Sequence, residues 1–266
     1  MKAKWLKVSV LMGFFVCGLL SPGAADIAVG PLTLVIDVAP GEVGSGYFRV
    51  VNDGEAPEEV TVSLGDWFLD PRGNTQFAAP GSLERSLAPW LEVTPVTFKL
   101  EPGQAQRVDF TIAVPSGVSG DHWALLFVEG SEVIPIAETT GELQTRVGAK
   151  VRYGVKLIQR DPGAAKAGRI TAMELLSTEP LKIRVAFANT GDAILWNVTG
   201  RMEIRDDTGA TVRTLEIEEF TVLPGGEREL VLEDGGERLA AGDYIALAII
   251  DFGGDYLVGH QIQFKI

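Results

Sequence analysis

The chain has 266 residues, 36 of them acidic and 23 basic, for a net charge of −13. Such a surface repels nucleic acid and anionic lipid, which argues against nucleic-acid binding. The single cysteine, Cys17, excludes a disulfide framework and a thiolate metal site.

Residues 1–25 read as a cleaved signal peptide. Lys2, Lys4 and Lys7 form a basic start, Val8 to Leu20 is apolar, and Gly23 and Ala25 suit cleavage before Asp26. The apolar run is short for a membrane span. Cleavage removes Cys17 and three lysines and moves the charge from −13 to −16. The mature chain is expected in the periplasm, with the cell surface or secretion as the alternative. No second long apolar run calls for membrane insertion. Ordinary cores must hold what remains, about 240 residues, enough for two domains.

Short alternating segments parted by turn residues then follow: Leu32–Val38, Tyr47–Val51, Val60–Leu64, Val108–Val114, Leu181–Ala188, Thr199–Ile204 and Tyr244–Ile250. No capped amphipathic helix interrupts them. The pattern predicts an all-β chain of two tandem immunoglobulin-like antiparallel β-sandwich domains, over residues 26–161 and 162–266, with about seven strands each. A repeat supports this. Phe48-Arg49-Val50-Val51-Asn52-Asp53-Gly54 matches Val185-Ala186-Phe187-Ala188-Asn189-Thr190-Gly191, and Leu100-Glu101-Pro102-Gly103 matches Val222-Leu223-Pro224-Gly225. Gly120-Asp121 matches Gly242-Asp243, and the step from Pro-Gly to Gly-Asp is eighteen positions in both halves. The Asn-to-Pro step is fifteen positions longer in the first half, so an extra loop is expected within Asp70–Pro89. Trp123 and Trp196 are expected in cores and Trp67 at a partly exposed site. Asp161-Pro162-Gly163-Ala164-Ala165 reads as the linker.

From Leu143 to Leu157 the odd positions are apolar or nearly so: Leu143, Thr145, Val147, Ala149, Val151, Tyr153, Val155 and Leu157. The even positions are polar, basic or glycine: Gln144, Arg146, Gly148, Lys150, Arg152, Gly154 and Lys156. This is β-strand alternation, but strands usually run about 5–6 residues. As one strand it would reach roughly 50 Å. Part of it is expected to overhang its domain, bend or run on toward the next. It also reads as an ordinary core strand, with Lys150 and Arg152 on the solvated face and Gly148 and Gly154 as bulges.

The order of residues in the first half resembles the PapD-type pilus-assembly chaperones. The likeness is carried by Trp90, Thr94-Pro95, Phe98, Leu100, Arg107-Val108, Pro115, Asp121, Trp123, Ile134-Pro135, and the alternating strand with Lys150 and Arg152. The second half resembles their second sandwich in class and place. The resemblance implies a last strand lent to a pilin-type subunit by β-strand addition. It implies Leu143, Thr145, Val147, Ala149 and Val151 as the apolar partner-binding positions. It also implies Lys150 or Arg152 as the anchor for the subunit's terminal carboxylate. Three departures stand out. The first strand, Pro31–Val38, carries no arginine for a second anchor, leaving Arg49 as a candidate. Thr145 and Ala149 are small, and Gly120-Asp121-His122 replaces the family's acidic–arginine motif.

Catalytic and cofactor signals are poor. His122 and His260 have no carboxylates or histidines at ligand spacing, so no metal is expected. Asp206-Asp207-Thr208-Gly209 and Asp251-Phe252-Gly253-Gly254-Asp255 read as hairpin turns. No phosphate loop or nucleophile elbow is present. The leading expectation is a periplasmic, non-enzymatic chaperone-like protein for fibre or secreted surface subunits. The alternative is a cell-surface or wall-interaction module, since the Trp90–Trp123 segment is also similar to the first domain of the two-domain partners of WxL proteins. The oligomeric state is left open.

Overall fold

The computed structural model describes residues 27–131, 134–138 and 146–266, with the backbone alone at 134–138 and 146–149. The expected signal peptide, Leu143 and Thr145 lie outside the described residues, as do the side chains of Val147 and Ala149.

The described chain is almost wholly β. In order come β1 (Ile27–Gly30), β2 (Thr33–Asp37), β3 (Val43–Asn52), β4 (Glu58–Leu69), β5 (Thr75–Ala78), a single 3-10 turn (Ala88–Trp90), β6 (Leu91–Thr94), β7 (Thr97–Leu100), β8 (Ala105–Ala113), β9 (His122–Glu129), β10 (Ile134–Glu138), β11 (Arg146–Ala149) and β12 (Arg152–Arg160). Then follow β13 (Gly168–Thr178), β14 (Leu181–Asn189), β15 (Leu195–Arg205), β16 (Thr211–Val222), β17 (Glu227–Glu233), β18 (Asp243–Asp251) and β19 (Val258–Lys265). The sheets are ordered β1-β3-β8-β6 and β2-β12-β9-β4-β5 in the first half, with β7 on β4. In the second half they are β13-β14-β17 and β16-β15-β18-β19. These are two immunoglobulin-like sandwiches in tandem.

Alternation decides which side chains form each core. Phe48, Val50, Val108, Phe110 and Ile112 from one sheet meet Val60, Val62, Leu126, Val155 and Leu157 from the other. Ile183, Val185 and Phe187 meet Val198, Met202, Ile204, Ala246 and Ile250 in the second sandwich. Each such side chain contributes about 1.5–3 kcal/mol of burial. β9 is buried on both faces. Ala124, Leu126 and Val128 face the first core, whereas Trp123, Leu125 and Phe127 join Trp67, Ile158, Ile194 and Leu223 in a cluster between the halves.

The sequence repeat is a structural repeat. The Asn52 side-chain amide donates to the carbonyls of Ala56 and Leu100 and accepts from the Gly54 N–H. Asn189 donates to Ala193 and Val222 and accepts from Gly191. Both residues are buried and tie a strand end to a Pro-Gly turn. In those turns Gly103 and Gly225 sit at φ 74° and 73°, where a side chain would strain the backbone.

Two tryptophans differ from expectation. Trp67 is only 2% exposed. The extra segment folds β5 back on β4, and Ile194 and Leu223 of the second half cover the same face. Trp196 is 37% exposed. The pairing of β15 slips between Leu195 and Val198, with Asn197 at φ 52°, so those two neighbours turn inward and Trp196 turns out.

Candidate functional site

The alternating run is not one strand. β9 ends at Glu129, opposite Arg152, because the chain then turns at Gly130–Ser131, where Glu58 accepts from the backbone N–H and hydroxyl of Ser131. Upstream of Arg152 the run has lost that partner. Lys150 and Val151 lie between strands, and β11 pairs with β10 instead, from Ile134 opposite Ala149 to Glu138 opposite Arg146. The described part of the run is two strands, as the reading with Gly148 and Gly154 as breaks allowed, and the interruption falls between those glycines, at 150–151. The downstream odd positions are core: Val155 and Leu157 are fully buried and Tyr153 packs against them.

The two edges of β12 differ. β9 pairs with it from Arg152 to Gln159, whereas β2 joins in parallel only from Lys156 onward. From Arg152 to Val155 the second edge has no strand partner among the described residues. Lys150 beside it is exposed and Val151 half-buried. Arg152 is ion-paired with Glu129, and its guanidinium lies 4.4 Å from the centre of the Phe127 ring. Arg49 is exposed on β3, in the sheet across the core from β12, because Phe48 and Val50 beside it point inward. It is not the second anchor of this face.

Further along β12 the strand runs into a cavity of about 310 Å³ where the two sandwiches meet, lined by Trp67, Thr75, Lys156, Trp196, Glu219 and Arg228 among others. The Lys156 ammonium sits 4.2 Å from the centre of the Trp67 ring and 3.4 Å from the Thr75 hydroxyl. Arg228, from β17, donates to the Pro71 carbonyl at 3.3 Å. Neither cation has an ion-pair partner among the described residues. Burial pushes both Lys156 and Arg228 below their ordinary pKa values. The Arg228 Nε–H and the Trp67 indole N–H are buried without an acceptor among the described residues. Two desolvated cations on the cavity wall can hold an oxyanion such as a carboxylate, with the Glu219 carboxylate on the same wall opposing them. Lys156 was visible in the sequence as an even position of the run, but nothing there distinguished it from Lys150. Arg228 comes from the other half, with no local signal of its role.

A clasp at the back of the junction holds the halves together. Asp121 accepts from the N–H of Asp161 at 2.9 Å and of Ile194 at 2.7 Å, while Asp161 accepts from Gly120 at 2.9 Å. Burial raises the Asp121 pKa, which the two N–H bonds oppose. Arg85 pairs with Asp192 at 2.6 Å. At the front, Glu229 N–H donates to Pro71 at 2.7 Å. Gly120 and Asp121 therefore build part of the joint.

No family model and no curated protein matches the chain. Solved structures do. A chaperone–tip adhesin complex of CFA/I fimbriae biogenesis aligns at TM-score 0.51 and 9% identity, over 90% of this chain and 98% of that one. The class 5 fimbriae chaperone CfaA aligns at 0.49 and 10%, over 89% and 98%. The E. coli chaperone DraB aligns at 0.43 and 18%, over 90% and 95%. The first of these likenesses establishes a shared two-domain fold.

Proposed function

We propose that this protein is a periplasmic chaperone-like carrier for fibre-type subunits. It pairs the open edge of β12 and the adjoining 143–151 segment with an extended strand of the client. Leu143, Thr145, Val147, Ala149 and Val151 supply apolar contacts, and Lys150 and Arg152 flank them. The client's terminal carboxylate enters the junction cavity and is held by Lys156 and Arg228. The observation that carries this reading is the continuity of an unpaired strand edge with a cavity that presents Lys156 and Arg228. Main-chain pairing gives affinity, and a fixed carboxylate sets register. Arg228 takes the part of the arginine missing from Pro31–Val38, so the anchor needs both sandwiches in place. The similar fold of a chaperone that binds a tip adhesin supports the same reading.

The test is capture of periplasmic partners by the tagged protein. Wild type should retain a subunit-type partner. Lys156→Met with Arg228→Gln should weaken retention by about tenfold or more, the loss of one charge-assisted contact or more. Circular dichroism should stay unchanged. No partner with wild type, or equal capture by the double variant, refutes the reading.

A further inference from the structure

The second sandwich has an open seam. β16 and β17 end their respective sheets, so each presents a backbone edge with no strand partner among the described residues. Between them runs a groove of about 600 Å³ whose floor includes the half-buried Leu215, Leu230 and Leu232. Its β16 rim carries Glu216, Glu218 and Glu219, all exposed and without ion-pair partners among the described residues. Arg201 lies opposite Glu216 on β15 but pairs with Glu203.

Three like charges on one edge forbid pairing of that edge with itself. They select an extended occupant with cations two residues apart and an apolar residue between. On this acidic chain the segment that leads into the open edge of β12 has that pattern: Lys150, Val151 and Arg152, with both charges exposed. We propose that the β16 edge binds the 150–152 edge of a second copy of this protein. In antiparallel register Lys150 meets Glu218, Arg152 exchanges Glu129 for Glu216, and Val151 continues the inward face of Ile217, which is 4% exposed. The two surfaces lie on different sandwiches, so the contact is head-to-tail and extends beyond a dimer. Short pairing of this kind gives weak association, with a dissociation constant of roughly 10–100 µM.

Sedimentation velocity of the purified protein from about 1 to about 100 µM tests this. The sedimentation coefficient should rise with concentration at low salt and fall back when salt screens the pairs. Glu216→Lys with Glu218→Lys should be monomeric, and so should Lys150→Glu with Arg152→Glu. An equimolar mixture of these two variants should associate again, because each seam then meets an opposite charge. The Glu216→Gln, Glu218→Gln variant gives the same readout should the reversals perturb folding. A wild type that stays monomeric, or a mixture that fails to associate, overturns the proposal. The Glu216→Lys, Glu218→Lys variant, altered on the other sandwich from the client-binding strand, should still capture periplasmic partners, so failure of this proposal is separable from failure of the carrier function on which it does not depend.

Discussion

β12 ends the first sandwich as β19 ends the second, and each pairs antiparallel with the strand that follows a Gly-Asp turn. In β12 the centre is buried; in β19 most residues are exposed or half-exposed. The difference comes from neighbours. β12 has β9 on one side, β2 on the other from Lys156 onward, and second-half residues over Ile158. Among the described residues β19 pairs with β18 alone. One strand position therefore yields a plain edge in one half and, in the other, a strand that is central at its C-terminal end and open at its start. That asymmetry is what the proposed strand pairing needs.

The largest effect should separate the two strands directly. Leu157→Ala removes a fully buried side chain from the first core and should cost about 3 kcal/mol. Ile262→Ala on β19 removes a half-buried one and should cost about 1 kcal/mol. Urea midpoints followed by tryptophan fluorescence measure both. Equal losses would break the contrast between a central and an edge strand.

A smaller effect tests what the halves share. Asn52→Ala and Asn189→Ala each leave two carbonyls and one N–H without their amide partner. Each should cost about 2 kcal/mol, since part of each knot is reachable by water. Similar denaturation shifts would show that the repeat is energetic as well as geometric. A shift at one site alone would show that one knot is vestigial.

Most of the fold was legible because its signals are local. Alternation gave the strands, and Asn-x-Gly with Pro-Gly gave the repeat, since each motif satisfies its own backbone within one turn. A break in the long run was legible from Gly148 and Gly154, but its place at Lys150–Val151 was not, because that depends on where β9 stops pairing. Trp67 and Trp196 were misjudged for a related reason. The cover over Trp67 belongs to the other half, and the slip that exposes Trp196 arises in pairing with β16. Of the site, the strand was visible and the cavity was not: Lys156 and Arg228 lie 72 positions apart and meet only when the sandwiches dock.

The smallest predicted effect is a pH dependence that His122 brings to the first half. His122 is buried, its ring 4.4 Å from that of Trp90 and its Nδ1 3.0 Å from the Gly120 carbonyl oxygen. Burial holds its pKa below the ordinary 6.5, with Arg85 adding to the effect. As pH falls through 6.5 the unfolded chain takes up this proton before the folded one, so stability declines. Asp121 acts in the opposite sense: its raised pKa makes the folded chain bind the proton first, nearer the carboxylate range. The histidine contribution therefore appears in the higher window, as pH falls through the ordinary imidazole range. Tyr244, at the corresponding place in the second half, brings no imidazole. His122→Phe keeps a ring against Trp90 and should flatten the slope of the urea midpoint across that window. An unchanged slope would mean that His122 takes up its proton in place, without disturbing the joint.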